Sequence, residues 1–129
     1  MERKIILVAV ILGLVSIVLG AFGAHGLKKF LTTDQLSTFE VGVRYQMYHA
    51  LFLLFVATTN FLSLKEKTVV FYLVIVGVLL FSGSIYLLST SSITSIKTKI
   101  IGPITPVGGL FLIASWGYMF YSVLVKNSI

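Results

Sequence analysis

Four stretches of this chain, 5–24, 45–64, 68–88 and 107–125, each run for about 20 residues without a charged side chain. At about 1.5 Å of rise per residue, a helix of that length crosses a hydrocarbon core of about 30 Å. In lipid only helices and closed barrels satisfy every backbone polar group. Barrel strands alternate polar and apolar residues, whereas 5–12 and 68–81 are almost continuously apolar. The pattern therefore predicts an all-α polytopic membrane protein, a bundle of four transmembrane helices forming one domain over 1–129.

Composition supports lipid as the surroundings. Hydrophobic residues make up 57% and charged residues 11%, where a soluble domain carries about 25% charged residues. The chain has no cysteine, which excludes disulfides, thiolate metal sites and a cysteine nucleophile. The net charge is +6, but the ten Lys and Arg residues are scattered in ones and twos. That dispersal disfavours nucleic acid and suits anionic headgroups, so membrane lipids are the expected partners. The N-terminal run is too long for the core of a signal peptide, about 7–15 residues, and is expected to stay as a span.

The connections differ in character. Lys65-Glu66-Lys67 reads as a tight charged turn between spans two and three. Gly26 suits the left-handed residue that ends a helix. Thr32-x-x-Gln35 reads as a capping box, followed by Leu36, Phe39, Val43 and Met47 at helical spacing. Glu40 and Arg44 stand four apart, as an ion pair requires. These features predict a short amphipathic helix between spans one and two, with a bend at Gly42; a plain N-terminal extension of span two fits them equally. Thr105-Pro106 supplies a cap and a first helical residue for span four.

Four spans put both termini on one side of the membrane. That side carries Arg3, Lys4, Lys65, Lys67 and Lys126; the other carries Lys28, Lys29, Arg44, Lys97 and Lys99. The balance gives almost no orientation signal, with a slight lean toward cytoplasmic termini if Arg44 is not a flanking charge.

Following the spans through the bilayer gathers the unusual residues in the half opposite the termini. A candidate polar pocket for a small solute, ion or proton comprises His25, Arg44, Tyr45, Tyr48, His49, Ser84 and Tyr86, because ionisable groups at membrane depth are costly and default to function. The opposing reading is that His25 and Arg44 snorkel to headgroups and the tyrosines form an interfacial belt. Gly13, Gly20, Gly23, Gly77, Gly83, Gly108 and Gly109 are candidate helix-packing positions, since small residues let membrane helices approach. No catalytic set, metal site or cofactor is expected. Two histidines are a weak basis for haem, no carboxylate accompanies them within a span, and Asp34, the only aspartate, is expected to be exposed.

Four segments carry a family resemblance. GAFGAHGL at 20–27, GVRYQMYHAL at 42–51, LFSGSIYLL at 80–88 and GPITPVGG at 102–109 resemble, in order, the signatures of the small bacterial membrane proteins of the domain-of-unknown-function 423 family. The same broad group includes the vertebrate transmembrane protein 256. The resemblance covers essentially the whole chain and departs at Ser115, where glycine fits the pattern. It implies a multi-pass protein of the bacterial inner membrane and supplies no activity. The first expectation is a structural or assembly bundle, with a homo-oligomer in view; the rival is a solute, ion or proton carrier at Arg44 and His49.

Overall fold

The computed structural model describes residues 1–94 and 98–126. Among these, all regular structure is helical, and four long helices carry the architecture. Helix α1 (Glu2–Leu27) includes a π-helical stretch, Leu19–Gly23, after which the Ala24 N–H bonds back five residues to Leu19. It is followed by α2 (Thr33–Thr58), α3 (Leu64–Ser89) and α4 (Ile104–Leu124). The last connection holds two single-turn helices, Ser91–Thr94 and Thr98–Ile101. Lys97, counted above among the far-side cations, lies outside the described residues.

Length and hydropathy qualify three helices to cross a membrane, not the four expected: Glu2–Leu27, Leu64–Ser89 and the fourth helix counted as Thr98–Leu124. Helix α2 is the one that falls short. Asp34, Glu40, Arg44, Gln46 and His49, spread over its first 17 residues, dilute the apolar run that follows.

Several boundaries also move. The expected amphipathic helix is not separate: it continues through Gly42 into one 26-residue helix. Its capping box forms as expected, with Gln35 N–H on Thr32 Oγ1 at 3.1 Å and Thr32 N–H on Gln35 Oε1 at 2.9 Å. Gly26 lies inside the helix, and α1 ends one residue later, where Phe30 and Leu31 N–H groups bond to Leu27. Lys65-Glu66-Lys67 is not a turn. The chain turns at 59–63, and Ser63-x-x-Glu66 forms a second capping box at 3.2 and 2.9 Å. Span two therefore stops at Thr58 and not at Leu64, and the three charged residues occupy the first turn of α3. Helix α4 starts behind Pro103, placing Pro106 in the first turn, where its missing N–H is still one the helix cannot use.

Helices pack in chain order, α1 on α2, α2 on α3 and α3 most extensively on α4. Glycine sets the closest approaches. A Cβ on Gly108 would lie 2.3 Å from the Phe81 backbone nitrogen, so α4 meets α3 backbone to backbone. Gly77 receives Leu112, and Gly42 receives Tyr86 and Ile85. Gly20 fits closely against Val43, while Gly13, Gly23 and Gly109 make ordinary contacts. Gly83 meets nothing within 4 Å inside this chain: the buried line of α3 passes through Ser82 and Ser84 instead.

Buried apolar residues cluster toward the terminus end, around Ile5, Leu53, Val56, Val70 and Val74. Outward faces are equally apolar: Leu7, Ile11, Leu14 and Ile17 on α1, and Leu110, Ile113, Phe120 and Leu124 on α4. Surfaces of this size and character belong against lipid rather than water.

Candidate functional site

The buried face of α2 steps through Phe39, Gly42, Gln46, His49, Leu53 and Val56, alternating three and four residues. Two polar side chains thus enter the middle of the bundle, and each must be satisfied there.

Gln46 is a hub for three helices. Its Nε2 donates to the Leu12 carbonyl of α1 at 2.9 Å, and its Oε1 accepts from the Tyr86 hydroxyl of α3 at 2.6 Å. The Leu12 carbonyl also accepts from Ser16 Oγ at 2.8 Å. Nearby, Ser82 Oγ donates to the Gly42 carbonyl at 2.7 Å, pinning α3 at the same glycine that lets it approach.

His49 uses both ring nitrogens. Trp116 Nε1–H donates to Nε2 at 3.1 Å, and Nδ1 faces the Tyr45 carbonyl at 2.7 Å. An indole only donates and a carbonyl only accepts, so these partners assign the neutral Nδ1–H tautomer. Trp116 also stacks on Phe52 with centroids 4.0 Å apart, and His49 stands edge-on to both rings. This aromatic set forms the wall of an open groove between α2 and α4, about 750 Å³ in volume and lined with Tyr45, Phe81, Leu112, Trp116 and Phe120.

The polar pocket anticipated from sequence is distributed over the molecule. Tyr45 and His49 share the groove. Tyr86 faces Gln46, and Ser84 bonds Thr105 on α4. Arg44, Tyr48 and His25 are exposed. His49 lies roughly 24 Å along α2 from Thr33, while His25 sits near the far end of α1, so the two imidazoles do not meet. The expected Glu40–Arg44 ion pair is absent among the described residues. No group of three metal-ligating His, Asp or Glu side chains occurs among them either.

At the terminus end, charges expected only as flanking residues form ion pairs, and one of them is buried. Lys67, 4% exposed, places Nζ on the Glu2 carboxylate and on the Ala57 carbonyl at 3.0 Å. That carbonyl belongs to the last turn of α2, where helical acceptors lack partners. Lys126 pairs with Glu66, and Lys4 Nζ reaches the Tyr72 hydroxyl at 3.3 Å.

Sequence inspection missed Gln46, Trp116 and Lys67. The first was readable from the 39-42-46-49-53-56 spacing. Lys67 shares a helical face with Val70, Phe71 and Val74, a signal hidden by treating it as part of a turn. Trp116 carried no such signal. Ser115 is fully buried and donates to the Leu112 carbonyl at 2.6 Å.

Residues 19–109 match the family model described as protein of unknown function (DUF423). The UPF0382 membrane protein YwdK of Bacillus subtilis is 41% identical over 116 residues, covering 88% of this chain and 90% of the relative. A UPF0382 membrane protein of Haemophilus influenzae is 32% identical over the full length of both chains. The UPF0382 inner membrane protein YgdD of Escherichia coli is 31% identical over 95% of this chain and 91% of its own length. No solved structure matches.

Proposed function

The chain belongs to the protein family of unknown function DUF423, whose relatives above are membrane proteins, and on that premise we propose that it is a structural or assembly bundle of the bacterial cell membrane. In this reading α2 crosses as a fourth span. Its 26 residues reach about 39 Å, ample for the hydrocarbon core, and its two buried polar side chains, Gln46 and His49, are turned to other helices. Both termini lie on the cytoplasmic side: Arg44 stands well inside α2, so it does not count as a flanking charge. Self-association is the expected mode of assembly, and nucleic acid has no part.

One observation carries the reading. Among the described residues, no buried side-chain polar atom lacks a hydrogen-bond partner. Gln46, His49, Tyr86, Ser82 and Ser84 are consumed in joining helices, so none of these buried groups is left free for a solute path. Polar links of this type hold membrane helices together where the hydrophobic effect gives no drive.

Reconstituted protein should leave ion, proton and small-solute flux at the level of empty liposomes, and His49→Ala should lower thermal stability. A flux abolished by His49→Ala in a protein of unchanged stability would replace this reading with the carrier.

A further inference from the structure

The α2–α4 groove is an apolar channel, and beside its α2 wall, one helical turn from Tyr48, stands an unpaired cation, Arg44. Its volume of about 750 Å³ lies in the usual range for small-molecule sites. On α4 two glycines, Gly109 and Gly117, keep it open, and a Cβ at Gly117 would meet nothing within 4 Å. Arg44 directly precedes Tyr45 of the groove wall, and Tyr48 packs its ring against Tyr45 at 5.5 Å. All three side chains are exposed. Among the described residues Arg44 joins neither ion pair, and the Tyr45 and Tyr48 hydroxyls have no protein partner.

In water, solvent would satisfy these groups. Arg44 lies about 16 Å along α2 from Thr33, which in a crossing helix is hydrocarbon or its border. An unpaired guanidinium there is costly, and snorkelling only shortens its distance to the headgroups. A groove fitted to hydrocarbon, with a cation and two hydroxyl donors at its edge, matches a ligand that is anionic at one end and apolar along its length. We propose that the groove binds one anionic phospholipid, its phosphate held by Arg44 with the Tyr45 and Tyr48 hydroxyls, and an acyl chain lying along Trp116. The inference rests on the proposed crossing of α2.

Trp116 is the only tryptophan, so its fluorescence reports groove occupancy directly. The protein is reconstituted into bilayers containing increasing fractions of phosphatidylglycerol or phosphatidylcholine, each brominated on its acyl chains, which quench on contact. Brominated phosphatidylglycerol should reach half-maximal quenching at about fivefold lower fraction, the factor one basic side chain contributes at a membrane surface. Arg44→Gln should merge the two curves, and Gly117→Leu, whose Cβ meets no neighbour within 4 Å, should do the same with an unchanged melting temperature. Coincident curves for the unaltered protein, or a preference that survives Arg44→Gln, would overturn the site while leaving the bundle reading intact. Absence of quenching by either lipid would mean that no acyl chain enters the groove, and would also count against the membrane arrangement of α2 and α4.

Discussion

Trp116 and His49 tie α4 to α2: the indole N–H donates to imidazole Nε2 at 3.1 Å, while the other ring nitrogen donates to the Tyr45 carbonyl at 2.7 Å. The link joins two helices that are not neighbours in the chain, across a groove that would otherwise separate them. Phe52 stacks under the indole and fixes its plane, so the bond is held by packing as well as by its own geometry.

The Trp116–His49 bond should appear as a pairwise energy. Trp116→Phe keeps a ring on Phe52 and removes only the N–H; His49→Leu removes the acceptor. A double-mutant cycle of unfolding free energies in detergent should give a coupling of about 1 kcal/mol, within the range found for interhelical bonds in membranes. Additive effects of the two substitutions would mean that the contact contributes nothing to stability.

Glycine substitutions should divide sharply. Gly108→Ala forces a methyl into the backbone of α3 at Phe81 and must separate α3 from α4. Overpacking costs about 1–3 kcal/mol where side chains can yield, and backbone yields less, so the loss should fall at or above about 3 kcal/mol. Gly83→Ala, with no neighbour at its Cβ position, should stay within about 0.5 kcal/mol of the parent. Thermal melts followed by circular dichroism separate the two, and equal losses would show that the α3–α4 contact is not set by Gly108.

The contrast between Gly108 and Gly83 shows what sequence could and could not deliver. Uncharged runs specified the helices, because their lengths are imposed by lipid, and the Thr32 capping box fixed the start of α2. Which glycine touches a neighbour depends on helix rotation, and a stripe that is apolar all round carries no signal for rotation. For α2 that signal existed in its polar residues. The face through Phe39, Gly42, Gln46 and His49 was displaced in the sequence reading by the neighbouring Leu36, Phe39, Val43 and Met47 pattern. Charge misled at Lys65-Glu66-Lys67, where three ionic residues suggested a turn although Ser63 three residues before Glu66 marked a helix start. The expected gathering of polar groups in one half failed for the same reason. With α2 beginning at Thr33, His49 falls beyond the middle of the helix, and with α3 beginning at Leu64, Lys67 turns inward.

Gln46 offers a test of how much a satisfied polar hub is worth. Gln46→Leu leaves the Tyr86 hydroxyl without its acceptor in the bundle and should cost about 1–3 kcal/mol. Adding Tyr86→Phe removes the stranded hydroxyl, so the double variant should be more stable than Gln46→Leu alone. Chemical or thermal unfolding of the three variants decides it. If the second substitution brings further loss, the hydroxyl was finding another partner and the hub account is wrong.

Lys67 and Glu2 provide the last test, because their partners are unequal. The lysine is buried, with Nζ on the Glu2 carboxylate and on an end carbonyl of α2; the glutamate side chain is 54% exposed and retains access to its surroundings when the lysine is gone. Lys67→Met replaces a buried charge with an apolar chain of similar length and leaves behind one carbonyl and one exposed carboxylate. Glu2→Ala leaves an ammonium inside the bundle with only the Ala57 carbonyl to compensate it. Removing one partner of a buried pair is the costly direction, whereas replacing the buried ion with a well-packed apolar group is often nearly neutral. The melting temperature should therefore fall further in Glu2→Ala than in Lys67→Met, and the Glu2→Ala/Lys67→Met double variant should recover most of the loss. A Glu2→Ala variant that melts like the parent would show that Lys67 draws its stabilisation from the α2 end carbonyl alone, and that α1 is not clasped to α3 at this end.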